Sequence, residues 1–417
     1  MDAEPANLNN ALCVGRVDDA ELVSFLLQQF GYANSGLTNE VHFSHRNNPS
    51  TLKLTYRDGE IASADGTGLK PEEVALLADK VRRELVESPG KIAARSILFS
   101  AYRVSGCFIY DDKLRILPLP KHAPMAPDLT EQQCFSEHLN VEHPFIIEFP
   151  INRSVIPVIQ IQRLENQTRK YCLLLNVFLE GQISRPARGQ ERHWIHEEGA
   201  ELSSGYRYCR EDYRYPGFAD IGPGFSSTEG IPPMETMEYY EYFGNPRQDL
   251  NPPMRVPALL ATFFDRFEAL GKSEQHHFLR SAHWFHHASG VWRTSNSAAY
   301  LAIISSIETL RPSVPPTDKC ESCGAPRGKG ATRQFVDFLN AMAPAYGEDV
   351  KEREKLYRLR SALTHGGDLF QADTEALWGL NPKSTAESHS YFTAMSLARR
   401  ALLGWLMEKT GGWPMPS

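Results

Sequence analysis

Arg360 and His365 lie near the end of the segment Leu-Tyr-Arg-Leu-Arg-Ser-Ala-Leu-Thr-His-Gly-Gly, which runs from Leu356 to Gly367. A guanidinium stays charged and grips a phosphate with two parallel hydrogen bonds, whereas an imidazole takes up or releases a proton near neutral pH. Together they suit the cleavage of RNA, whose own 2′-OH is the nucleophile. Such a site must deprotonate that hydroxyl, neutralise the phosphate and protonate the leaving 5′ oxygen, and none of these steps requires a metal. Positions five apart on an ideal helix point about 140° away from each other. Arg360 and His365 therefore converge only if the helix stops near Thr364, and Gly366-Gly367 supplies a stop. His365 then sits at the negative pole of the helix, where imidazolium is favoured and a general acid is at home.

Two other residues bear on this pair. Arg358 lies seven positions before His365, on the same helical face, and is an alternative to Arg360. Glu308 is a lone carboxylate on the otherwise apolar helix 297–310; it needs a partner, and Arg360 is the expected one. Glu308 would then support catalysis by orienting the arginine, or serve structure alone. A purely structural reading stands beside the chemical one, with Arg360 paired to a buried acid and His365 capping its own helix. Exposure separates the two. Catalysis needs both side chains lining a cleft, whereas a scaffold leaves them buried in ion pairs or facing bulk solvent.

A second constellation is Cys320-Glu321-Ser322-Cys323-Gly324, the shape of a zinc knuckle but only half of a site. His283 and His287 have the i, i+4 spacing of helical metal ligands and could complete a structural Cys2His2 centre; His276 shares their face. Two reduced thiols in a loop, a site shared across a dimer, and a histidine face lining an RNA cleft are the alternatives. Aromatic and cationic residues alternate in Tyr206-Arg207-Tyr208-Cys209-Arg210 and in Tyr213-Arg214-Tyr215, as in segments that stack on unpaired bases, although such strings more often pack on the body of a protein. His193–Glu197 is not a zincin motif, and Gly324–Gly330 is one residue short of a P-loop.

The elements that must position these residues fall into three stretches. Residues 1–125 read as a mixed α/β region, with helices at 21–30 and 72–85, a hairpin through Arg57-Asp58-Gly59, and a strand over 97–110. Residues 126–245 read as β-rich with long loops, because 145–149, 155–161 and 171–179 are apolar or β-branched runs; this stretch and the first could form one unit. After a proline-rich linker, residues 256–417 turn helical, with stripes at Leu260/Phe263/Phe264/Phe267 and Tyr300/Ile303/Ile304/Ile307. Further helices are expected at 273–288, 335–342 and 350–364. A last long helix should open on the capping box Ser384–Glu387 and end at Gly411-Gly412. The expected fold class is α+β multidomain: a mixed, β-rich N-terminal region followed by an all-α bundle bearing the CxxC insertion.

Composition bounds the function. The 417 residues carry a net charge of −7, so any nucleic-acid site must be a local basic patch and not a whole-protein field. No apolar run reaches the length of a membrane span, and the first residues lack a signal-peptide pattern. Seven scattered cysteines fit free thiols in a reducing cytoplasm.

The segment Tyr357–Gly367, the helix end with Glu308 and the CxxC insertion together resemble the HEPN domain family, in particular its ApeA-like branch. The resemblance covers about the last two-fifths of the chain. It implies an all-α HEPN-like domain, a cytoplasmic endoribonuclease without a catalytic cofactor, and a role as a toxin-like effector in antiviral defence by abortive infection. It also implies a homodimer in which two Arg–His sets share one cleft, an RNA substrate such as a tRNA or mRNA, no membrane partner, and an unknown phage or cellular trigger read by the N-terminal region. Arg360 would hold the scissile phosphate and His365 would act as acid or base. Ser361 stands where many HEPN nucleases carry a larger polar residue, which leaves a third polar role open. The runner-up is a HEPN module that binds a partner protein or nucleotide without catalysis.

Overall fold

The computed structural model describes residues 8–35, 39–45, 48–87, 90–100, 102–118, 143–179, 182–185, 194–196, 206–208, 230–231, 233–234, 253–292, 294–312, 318–319, 326–327, 330–344, 350–375 and 381–412. The protein is mixed α+β, with antiparallel sheet in the N-terminal region and a mostly helical C-terminal half. The chain divides into two compact units. The first holds residues 1–96, 111–114 and 148–168, and the second holds 97–110, 115–147 and 169–417.

In the first unit, α1 (Asp19–Phe30) begins because the Asp18 side chain accepts from the Glu21 amide at 3.0 Å, and it ends because Gly31 adopts φ 81°. A four-stranded sheet follows in the order β1 (Tyr32–Ser35), β2 (Glu40–His45), β3 (Asn48–Arg57), β4 (Glu60–Thr67). The Asp58-Gly59 turn between β3 and β4 has φ 55° and 87°, the two left-handed residues that a tight hairpin of this twist requires. Pro71 then opens α2 (Pro71–Val81). Phe25, Leu26, Phe43, Leu52, Leu54 and Val81 fill the core between these elements, each 1% exposed or less. A buried ion pair joins Glu21 to Arg163, a residue of α3 (Pro157–Phe178).

A second sheet has the order β6 (Phe108–Tyr110), β7 (Leu114–Leu117), β8 (His143–Asn152), β5 (Lys91–Ser100), β9 (Ile183–Ser184). The expected strand over 97–110 is thus two strands, β5 and β6, separated by seven residues. The runs 155–161 and 171–179 are not strands; they are the start and end of the 22-residue helix α3. Apolar runs of this length fit a buried helix as well as a buried strand, and the polar stretch Glu165–Thr168 is part of one continuous helix. Tyr171–Phe178 is buried on every face, which erases the helical periodicity that would have identified it.

The second unit is built on helices α4 (Leu260–Ala269), α5 (Lys272–Val291), α6 (Asn296–Leu310), α7 (Ala331–Met342), α8 (Val350–Thr364) and α9 (Pro382–Lys409). Phe263, Phe264, Phe267, Phe278 and Phe178 form an aromatic core, with ring centroids 5.3–6.3 Å apart where they meet. Ser295 caps α6 by accepting from the Ala298 amide. α9 begins earlier than its capping box suggests: Asn381 accepts from the amides of Lys383 and Ser384, Pro382 occupies the first helical position, and Glu387 accepts from the Gln371 amide at 2.8 Å. Gly404 lets α9 approach the end of α7, because a Cβ there would meet the Met342 carbonyl oxygen at 1.8 Å.

Candidate active site

α6 and α8 pack together, and buried Tyr300 of α6 fixes their register by donating to the Leu356 carbonyl at 2.7 Å. This brings Glu308, in the last turn of α6, opposite the C-terminal half of α8. Arg360 Nη2 donates to Glu308 Oε2 at 3.1 Å, so the expected pair is present. The other carboxylate oxygen, Oε1, accepts the hydroxyl of Tyr357 at 3.0 Å. Tyr357 is 7% exposed, its ring lies 4.9 Å from that of Phe335, and the Arg360 guanidinium sits 5.6 Å from its centroid. Burial, followed by the Glu308 charge, pushes the phenol pKa up, so the hydroxyl remains a donor to the carboxylate. Tyr357 was not among the sequence candidates. Its signal was position alone, one turn before Arg360 and on the face that meets Glu308.

Glu308 stands at the negative end of its helix, an unfavourable place for a carboxylate, and the guanidinium of Arg360 and the phenol together offset this. Arg360 itself is 28% exposed, against 19% for Glu308. Its Nη1 and Nε have no hydrogen-bond partner among the described residues.

α8 ends at Thr364, as the glycines require. The Gly367 amide donates to Ala362 at 3.0 Å, the Gly366 amide donates to Leu363 at 3.3 Å, and Gly366 has φ 70°, which together make a Schellman end. His365 is the capping residue. Its amide donates to Ser361 at 3.1 Å, and its exposed imidazole has no side-chain partner among the described residues. Arg358, the alternative to Arg360, faces solvent at 74% exposure and pairs with Glu354 at 3.3 Å.

Of the four metal candidates, His283 and His287 lie within the described residues. His283 and His287 stack on the exposed side of α5 with centroids 6.2 Å apart. Among the described residues, no group of three or more His, Cys, Asp or Glu could hold a metal ion. Cys320 and Cys323 lie outside the described residues. His286, which was not a candidate, is the most perturbed imidazole: burial pushes its pKa down to about 4, helped by the charges of His283, Arg185 and His287. Tyr206–Tyr208, including Arg207, pairs antiparallel with Trp194–His196, but Arg210, Tyr213 and Arg214 lie outside the described residues. No helix among the described residues is long and apolar enough to cross a membrane. No protein-family model, curated protein or solved structure matches the chain.

Proposed function

We propose that this protein is a metal-independent endoribonuclease of the HEPN type. The observation that carries the reading is the state of Arg360. One end of its guanidinium is fixed by Glu308, the rest of its fork is unbonded, and an exposed, unpartnered imidazole follows at the cap of the same helix. A fixed guanidinium with spare donors can take a phosphate without a large ordering cost. The 2′-oxygen would attack phosphorus as the P–O5′ bond breaks; His365 would move one of the two protons, off the 2′-OH or onto the leaving 5′ oxygen, and water the other, giving a 2′,3′-cyclic phosphate and a 5′-OH. Glu308 and Tyr357 are positioning residues: they hold Arg360 and touch no substrate. The family resemblance adds a homodimer that places two such sets in one cleft, a cytoplasmic defence role against phage, and control by the N-terminal region. Zinc held by Cys320 and Cys323 would be structural.

The test compares the wild type with Arg360→Ala and His365→Ala. RNA cleavage with EDTA present, and growth under phage challenge, should both be lost in the two variants while folding is retained. Unchanged phenotypes would sink the nuclease. A second reading, a helical module that binds a partner without catalysis, is favoured by the exposure criterion set out above, because Arg360 already has a carboxylate partner and His365 faces solvent. Full RNA cleavage by both variants, or none by the wild type, would leave that reading in place.

A further inference from the structure

The outer face of α5 differs from an ordinary solvated helix surface, which mixes acids with bases. His276, Arg280, His283, Trp284 and His287 are all exposed and fall within about 100° of arc, opposite the buried Phe278, Ala282 and Phe285. The helix contains one acid, Glu274, and that residue is engaged elsewhere: it accepts from the Gly271 amide at 3.4 Å and meets Lys409 at 3.5 Å. Arg280 has no carboxylate partner among the described residues. Arg169 of α3, also exposed, lies close enough to His283 to help burial and His287 lower its pKa. The rings of His283, Trp284 and His287 form a contiguous group with centroids 6.0–6.2 Å apart, and Trp284 is 38% exposed.

An unpaired guanidinium and flat rings, with no acid between them on the helix, complement a polyanion that also offers flat faces. We infer that the outer face of α5 binds single-stranded nucleic acid, with Arg280 on a phosphate and Trp284 stacked on a base. The stripe runs from His276 to His287 of the 20-residue helix, about 17 Å and enough for a few nucleotides. Depressed protonation of His283 suits it to stacking and hydrogen bonding more than to charge pairing. In a protein of net charge −7, this acid-free face is a local patch of the kind nucleic-acid binding requires. The inference extends the proposed nuclease but does not need cleavage.

The probe is a fluorescein-labelled 2′-O-methyl oligouridine, which lacks the nucleophilic hydroxyl, titrated with the full chain over a salt series and followed by anisotropy. Arg280→Ala should weaken binding about tenfold and lower the slope of log K against log salt by about 0.7, the single-strand value for one phosphate. Trp284→Ala should weaken it about tenfold without changing the slope. Arg83→Ala, a charge removed from the first unit, should bind as the wild type. Equal binding by all variants overturns the inference. Weakening by Arg280→Ala alone also overturns it, in favour of a general polyanion surface. The probe cannot be cleaved and reports binding alone, so a nuclease that fails to cleave and an α5 face that fails to bind are separate results.

Discussion

Two arginine–glutamate pairs in this chain have opposite fates. In the first unit, Arg163 gives Nε to Glu21 Oε1 at 2.9 Å and Nη2 to Oε2 at 2.5 Å, while Nη1 serves the carbonyls of Asn152 and Arg153. Every nitrogen of that guanidinium is used, and the pair is 9% and 13% exposed. In the second unit, Arg360 spends one nitrogen on Glu308 and shares the carboxylate with a tyrosine. The residue types are the same, yet the first pair is saturated and the second is open. Saturation marks a structural pair, because removing one member strands a buried charge. Openness leaves a guanidinium able to take another anion.

Breaking the saturated pair should have the largest effect. Arg163→Ala should cost about 3–5 kcal/mol of stability in urea unfolding, whereas Arg360→Ala should cost about 1 kcal/mol, since its partner is partly solvated. Equal losses would erase the distinction. Next comes activity. Arg360→Ala or His365→Ala should reduce RNA cleavage about a hundredfold or more, near 2.7 kcal/mol of barrier. Tyr357→Phe sharpens the comparison, since it frees one oxygen of Glu308 and loosens Arg360. A tenfold loss in kcat with KM little changed is expected. The raised phenol pKa means that its contribution is whole below the ordinary tyrosine value of about 10 and fades only as pH rises through the folded value. The loss should therefore be flat between about pH 6 and 9. The smallest effect belongs to Arg358→Ala, where cleavage should stay within about twofold because this side chain is engaged at the solvent surface.

Local signals with a mechanism behind them were legible in the sequence. The stop at Gly366-Gly367, the partner for Glu308 and the Asp58-Gly59 turn are each present in the structure. What escaped was context. α3 lost its periodicity because its second half is buried all round. α9 starts ahead of the Ser384–Glu387 box because Asn381 is its cap and Glu387 answers the amide of a residue sixteen positions earlier. Spacing alone does not single out Tyr357; the approach of α6 is what makes its hydroxyl matter. Gly404 gave no hint of the carbonyl that crosses beside it.

The shared carboxylate of Glu308 also constrains the order in which this site could be dismantled by mutation. Losing Arg360 first strands a half-buried negative charge at the negative end of α6, with a phenol as its remaining partner. Losing Glu308 first leaves an arginine that water can accommodate. A chain drifting away from this chemistry would pass more easily through the loss of the acid, so the Glu308→Ala background should tolerate Arg360→Ala at almost no further cost. The two residues are thus linked in mutational history by one hydrogen bond, and an inactive descendant should more often keep the arginine than the glutamate.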